Sequence, residues 1–377
     1  MNLTEHKFIV LCQEHYNPVG IIRSLGETGI RPIAIVIRGA ATVASKSKYI
    51  SKLHYVDSVE EGYRLLLEQY GSQEEPRPFL LTSDDTTTSY LDAHYEELKN
   101  KFYFFNGGQA DRLTYYMNKN NINQLAIKHG LNVLNAVVAQ KGEIPEELEY
   151  PVITKAIAST MGGWKDDVFI CYNAEELKTA YEKIKSSVVL LQKYIVKKNE
   201  HCMEGFSVDQ GRKMFISIAS NYNYLLKSAY SPYMTVRNFD EPELQKKINA
   251  MMEEIGFEGI FEIEFLIADD DQLYFCEINF RNSTWSYAST CAGMNLPYMW
   301  AEGMLSKQIR PDAYKKISEN FNAMVEFPDF KHRVLGRKIS FAQWINEWKN
   351  CKCTYYYNKR DPKPFWSFLF SKVTGIK

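Results

Sequence analysis

Residues 7 to 14, KFIVLCQE, form a short apolar run that ends at Tyr16-Asn17-Pro18-Val19-Gly20. Beyond it Ile21, Ile22, Leu25 and Ile30 fall at helical spacing, and RPIAIVIRG supplies a second strand. This is a β-α-β opening. A strand at FLLTSDD, a helix through YLDAHYEELKN and a strand at FYFFNGG continue the alternation, which predicts a parallel sheet flanked by helices. Later, YPVITKA and VVLLQKYI read as strands, and HCMEGFSVDQGRKMFISIAS reads as a hairpin turning at Asp209-Gln210-Gly211. Residues 256 to 281, GFEGIFEIEFLIADDDQLYFCEINFR, form a second hairpin with an unusual face. Phe261, Ile263, Phe265 and Ile267 alternate with Glu262, Glu264 and Leu266; in the returning strand Glu277, Asn279 and Arg281 share one parity, Ile278 and Phe280 the other. One face is apolar and the other carries carboxylates.

Composition narrows the class. The chain has 377 residues, 45% apolar and 24% charged, enough for two or three packed units and without the bias of a disordered protein. The opening MNLTEHKFIVLCQEHYN has no basic start followed by a long apolar core, and no window reaches about 18 uninterrupted apolar residues, so a cytoplasmic location is expected. Seven scattered cysteines, with no CxxC pair and no HExxH, indicate neither a disulfide framework nor a zinc site. Gly20, Gly26 and Gly29 do not match GxGxxG, and no GxxxxGK[ST] occurs. No Ser-His-Asp or Cys-His spacing points to a protein nucleophile. Net charge is −1, but from Lys331 to Lys377 eleven Lys and Arg face only Glu347 and Asp361, a balance of +9 that leaves −10 on the rest.

Two carboxylates and an amide on adjacent strands, Glu264, Glu277 and Asn279, are hard oxygen ligands of the kind Mg²⁺ takes when it also keeps waters and substrate phosphates. Arg281, two residues beyond the amide, is placed to reach charge transferred there. Lys155 lies within an apolar strand, where an ammonium costs stability unless it finds a partner, which marks it as functional more strongly than Lys119. The loop from Ser159 to Asp166 offers small residues, Gly162 and Gly163 among them, whose N–H groups can fold over phosphates, and Trp164 stands beside them to touch ligand or pack beneath.

Glu-Phe-Leu, a short Asp-rich turn and Glu-x-Asn-x-Arg together resemble the metal-binding end of the ATP-grasp superfamily, which includes biotin carboxylase, carbamoyl phosphate synthetase and many carboxylate-amine ligases. NSTWSYASTCAGMNLPYMWAEGM after Arg281 is similar to the family as well. The resemblance implies a mixed α/β and α+β protein: a Rossmann-like domain (1–110), a small ATP-binding subdomain (111–190), a large subdomain with the metal hairpin (191–310) and a basic, aromatic C-terminal extension (311–377). It also implies that Glu264 and Glu277 bridge two Mg²⁺ (or Mn²⁺) ions to ATP phosphates, that Asn279 completes the second ion and that Arg281 stabilises the phosphorylated intermediate. Lys119, with Asn118 where Asp is common, stands at the first ATP lysine, and Lys155 at the α-phosphate and adenine side. Gln192, where Glu is frequent, begins the hinge Gln192-Lys193-Tyr194-Ile195 whose backbone meets adenine; Glu200 is the ribose candidate and His201 its neighbour. Asp84 or Asp85 would face the substrate cleft.

The reaction so implied is ATP-driven activation of a carboxylate as an acyl phosphate, then attack by an amine. A carbamoyl-phosphate or carboxylase type reaction, and nucleotide binding without turnover, are the alternatives. Small-molecule or carrier-linked carboxylates and amines are the implied partners, nucleic acid is not, and a homodimer is left open. Near the C-terminus Phe341, Trp344, Ile345 and Trp348 have the spacing of an amphipathic helix, and YYYNKRDPKPFWSFLF adds aromatics among Lys359, Arg360 and Lys363. Packing on the body, a pocket for a phosphorylated carrier and peripheral contact with an anionic membrane all remain open for it. The DPKPF ending resembles ATP-grasp proteins encoded with cell-wall and capsule genes, the D-aspartate ligase type among them.

Overall fold

The computed structural model of the protein describes residues 3–39, 42–72, 75–158, 164–226 and 230–374. The first unit runs β1 (Phe8–Gln13), α1 (Tyr16–Glu27), β2 (Ile33–Ile37), β3 (Lys52–Val56), α2 (Val59–Tyr70), β4 (Phe79–Leu81), α3 (Asp85–Ala93), α4 (Tyr95–Leu98) and β5 (Tyr103–Phe104). Its strands form a parallel sheet in the order β3-β2-β1-β4-β5. β1 is buried on both faces, as a central parallel strand must be: Ile9 and Leu11 enter one core, Phe8, Val10 and Cys12 the other. The expected helix through residues 90 to 100 starts earlier, where Asp84 caps α3 by accepting from the Thr87 N–H at 2.8 Å, and it breaks at His94 into α3 and α4.

A small subdomain follows, with α5 (Arg112–Met117), α6 (Lys119–Lys128), β6 (Ala136–Gln140), β7 (Val152–Ala156), β8 (Ile170–Cys171), α7 (Ala174–Lys183) and β9 (Val188–Lys193). Its sheet has the order β6-β9-β7-β8 and packs on α7 over a separate core around Leu177, Val189 and Leu191. β9 belongs wholly to this sheet, so the boundary expected at residue 190 falls after Lys193.

The large subdomain contains β10 (Asn199–Val208), β11 (Lys213–Tyr222), β12 (Tyr233–Arg237), α8 (Pro242–Ile255), β13 (Gly259–Ile267), β14 (Leu273–Asn279), α9 (Ser286–Cys291) and α10 (Leu296–Ser306). The hairpin β10–β11 turns at Asp209 and Gln210, both at positive φ, and at Gly211, where a Cβ would lie 2.0 Å from the Met252 carbonyl oxygen. The fully buried Trp300 of α10 meets Phe79 and Phe105 of the first unit, with ring centroids 5.7 and 4.9 Å apart, and so ties the two units through one core.

The C-terminal residues do not form a separate extension. After β15 (Phe321–Met324), α11 (Glu326–Phe330), α12 (Phe341–Asn350), β16 (Cys353–Thr354) and α13 (Lys363–Thr374), the large sheet reads β14-β13-β10-β11-β12-β15-β16. Glu326 is buried and accepts the N–H groups of Tyr355, Tyr356 and Tyr357 at 3.0, 2.9 and 2.7 Å. Arg23 of α1, fully buried, binds Asp361 at 3.1 Å and the Tyr355 and Tyr356 carbonyls at 2.7 and 2.8 Å. The boundary expected at 310 is therefore crossed by sheet pairing and by buried ionic hydrogen bonds, while the expected amphipathic helix is α12. Among the described residues no helix is long and apolar enough to cross a membrane.

Candidate active site

The three units enclose a cleft of about 1230 Å³. One wall is the β13–β14 hairpin, where Glu262 lies opposite Asn279 and Glu264 opposite Glu277. Strict alternation along β14 would put Phe275 on the face of Glu277. A register shift after this pair instead sets Phe275 opposite Phe265 in the core and leaves Cys276 as an extra residue lining the cleft. The bulge is what permits an acidic patch to adjoin an aromatic core on consecutive pairs.

Four glutamates crowd this wall. Burial, then Glu262, Glu277 and Glu200, push the Glu264 carboxyl well above the carboxylate range. Glu277 moves the other way, lowered first by the Lys119 ammonium, which contacts its Oε2. Burial alone would depress Lys119, but Glu277 leads the charges that outweigh it, and the ammonium is held above the ordinary lysine range. Asn118 caps α6 by accepting from the Asn120 N–H at 2.9 Å, which fixes Lys119 at the first turn.

Asn279 directs its amide nitrogen to Glu262 at 3.0 Å and Glu264 at 3.1 Å, while its oxygen accepts from Arg281 at 3.1 Å. To offer that oxygen to an ion beside Glu264 the amide would turn over about its Cβ–Cγ bond. Among the described residues no group of three His, Cys, Asp or Glu side chains is arranged to hold a metal. Two carboxylates with an amide fit Mg²⁺ in particular, an ion that draws the rest of its shell from phosphates and water. The desolvated, mutually repelling Glu264 supplies the electrostatic demand for such a cation.

Arg281 spans to the first unit, donating from Nε to Asp85 Oδ1 at 2.7 Å. Of the two aspartates expected at the end of β4, Asp85 lines the cleft, whereas Asp84 caps α3. His15, Tyr16 and Asn17, just past β1, line the cleft beside it. β1 and β4 are adjacent strands whose connections leave in opposite directions, the switch point where parallel sheets hold ligands.

On the small-subdomain side Lys155 donates to Gln192 Oε1 at 2.8 Å, which gives the strand lysine its partner. Lys193, Tyr194 and Ile195 line the cleft, but the N–H groups of Lys193 and Tyr194 are held by the Asn135 and Pro151 carbonyls, each at 2.8 Å. Glu200 faces the cleft in contact with the Lys197 ammonium. His201 points away, buried, with Nδ1 accepting from Arg237 at 3.1 Å. Gly162 and Gly163 lie outside the described residues, and so does the Trp164 side chain.

Two features escaped the sequence reading. Lys197 adds a cation to the hinge side. Glu204, fully buried on β10 opposite Glu262, accepts from Ser283 Oγ at 2.7 Å and Ser286 Oγ at 2.6 Å. Burial pushes its carboxyl up to about 7. The only sequence signal for Glu262 was its shared parity with Glu264.

Three solved structures share this fold. An L-amino acid ligase from Bacillus licheniformis is 14% identical, with a TM-score of 0.63 over 85% of this chain and 80% of that one. An N5-carboxyaminoimidazole synthetase from Staphylococcus aureus is 14% identical, with a TM-score of 0.65 over 88% and 87%. A biotin carboxylase from Campylobacter jejuni is 16% identical, with a TM-score of 0.65 over 86% and 76%. No curated protein sequence matches the chain. The family model described as carbamoyl-phosphate synthase L chain, ATP binding domain matches residues 111–302, the span that carries both lysines, the hinge and the acidic hairpin. With its parallel N-terminal sheet, four-stranded small sheet and large antiparallel sheet around one cleft, the chain belongs to that ATP-grasp family.

Proposed function

We propose that the protein is an ATP- and Mg²⁺-dependent ligase that activates a carboxylate as an acyl phosphate and joins it to an amine. The division of charge along the cleft carries this reading. Lys119, Lys155, Lys193 and Lys197 line it where the small subdomain and hinge close over it. Where the N-terminal unit closes it, the lining is His15, Tyr16, Asn17 and Asp85, joined by Tyr230, Glu262 and Thr284. Arg281 stands between, and among the described lining residues it is the only arginine. Four ammonium groups, Lys155 on a neutral amide and the other three exchangeable from Glu277, Glu149 and Glu200, suit a nucleotide polyphosphate. Carboxylates at the far end suit an ammonium-bearing acceptor better than bicarbonate or a phosphorylated acceptor, which would call for cations there.

In this scheme a substrate carboxylate oxygen attacks the γ-phosphorus and ADP leaves. The neutral amine nitrogen then attacks the acyl carbon, the C–N bond forms, the C–O bond to phosphate breaks, and inorganic phosphate departs while the nitrogen's proton passes to it or to water. Glu264 and Glu277, with Asn279 turned over, would hold Mg²⁺, whose chemistry is to neutralise phosphate charge. Arg281 would meet the transferred group, and Lys155 with the hinge backbone would position the nucleotide. Placement and charge neutralisation suffice without a protein nucleophile.

The test is ADP release measured over a panel of amino acids, peptidoglycan precursors and sugar-nucleotide precursors, offered as carboxylate and amine pairs. Turnover should require both members. Asp85→Asn should raise KM for the amine by about tenfold, the scale of losing one charge-assisted contact. Turnover that needs bicarbonate and no amine, or tight ATP binding with no turnover on any pair, would overturn the reading.

A further inference from the structure

The tail that closes the large sheet also carries a surface the cleft does not use. Both acids in residues 331 to 377 are taken out of its outward charge. Asp361 is fully buried, held by Arg23 at 3.1 Å, Ser47 Oγ at 2.8 Å and the Lys48 N–H at 2.9 Å. Glu347 is bound to Arg333 at 2.5 Å. Lys359, Arg360, Lys363 and Lys372 are exposed, and among the described residues none of the four enters an ion pair.

α13 has two kinds of aromatic position. Phe365 and Phe368 turn inward onto Phe327, with ring centroids 5.2 and 4.6 Å away, and Phe365 also stacks on Trp348 of α12. That packing fixes which way the helix faces. Trp366 and Phe370, one turn apart, are left 49% and 64% exposed, and Lys363 precedes Trp366 on the same face. Large aromatics flanked by unneutralised cations are the composition of a segment that lies in a membrane interface, rings at the headgroup boundary and cations on the lipid charge. A second copy of the same face would bring cations against cations. The tail carries +9 and the rest of the chain −10, so the unpaired cations around α13 are the part of the chain that an anionic surface would attract.

We propose that α13, with Lys359 and Arg360 before it, docks on an anionic lipid surface through Trp366 and Phe370. The proposal is independent of the reaction assigned to the cleft. The full-length protein should sediment with phosphatidylcholine vesicles that contain phosphatidylserine and stay in solution with phosphatidylcholine alone. Added salt, which shortens a screening length of about 10 Å at 0.1 M, should release it. Trp366→Ala combined with Phe370→Ala should lower the partition coefficient at least about tenfold, and so should Lys359→Gln, Arg360→Gln and Lys363→Gln together. Neither set touches the cleft, and the urea unfolding midpoint of each variant, compared with the parent, serves as the folding control. Sedimentation equal on both vesicle types, or equal for parent and folded variants, overturns the proposal. Retention on an acidic protein without binding to phosphatidylserine vesicles overturns it too.

Discussion

Replacing Glu277 by Gln separates the role of this residue in the fold from the metal-holding role proposed for it. The change keeps the volume and removes the charge of Glu277, the member of the Glu264–Glu277 pair held below the ordinary carboxylate range. In the fold two effects oppose each other, since Lys119 loses its closest carboxylate while Glu264 and Glu262 lose a repelling neighbour. Glu277 is 32% exposed, so the net change in unfolding free energy should stay within about 1 kcal/mol, the range of partly exposed pairs. In the reaction nothing opposes the loss. Unit charges about 4 Å apart interact with about 4 kcal/mol at an effective dielectric near 20, and partial solvent screening leaves roughly 3 kcal/mol. That corresponds to a fall in turnover of about 10²-fold, similar to the removal of one transition-state donor. ADP release at saturating ATP and Mg²⁺, alongside urea unfolding of the same preparation, measures both. Near-parental turnover in a folded variant would remove Glu277 from the metal site, and a collapse of stability would make its role structural.

Lys155→Ala should weaken binding of a non-hydrolysable ATP analogue more than Lys119→Ala, because Lys155 gives up only a neutral amide whereas Lys119 must leave Glu277 to reach a phosphate. Calorimetric titration decides it, and equal affinities for parent and both variants would mean that the nucleotide lies elsewhere. His201 is pushed down from 6.5 to about 4, chiefly by burial. Its folded-state value is depressed, so its contribution is fully present above pH 6.5 and is lost as the pH falls toward 4, by up to about 3 kcal/mol. His201→Asn should flatten the pH dependence of urea unfolding across that window, and an unchanged slope contradicts the assignment.

The elements that announced themselves were those whose period survives in one stretch of chain. The acidic hairpin was legible because apolar and carboxylate positions alternate across Phe261 to Ile267, and α12 because Trp344 and Trp348 keep helical spacing. β3 was not, since an edge strand with the burial of Lys52–Val56, mostly exposed or half-exposed, shows no apolar run. The bulge at Cys276 was hidden because register is a property of two strands, and parity in one cannot reveal it. Long-range pairing hid the rest of the site in the same way. Glu204 meets Glu262 only through the β10–β13 ladder, and Asp85 meets Arg281 across 196 residues. The tail read as an extension because its anchor, Arg23 on Asp361, joins residues 338 apart.

Proposed γ-phosphoryl transfer to a carboxylate at the acidic hairpin is tested most directly by hydroxylamine trapping. With ATP, Mg²⁺ and the carboxylate present, hydroxylamine in place of the amine should give a hydroxamate together with ADP and inorganic phosphate. Arg281→Ala should lose this trapping by far more than it loses ATP affinity if its guanidinium has the proposed role on the group in transfer. Release of AMP and pyrophosphate, or ADP formation with no hydroxamate from any carboxylate that supports turnover, would contradict the acyl phosphate.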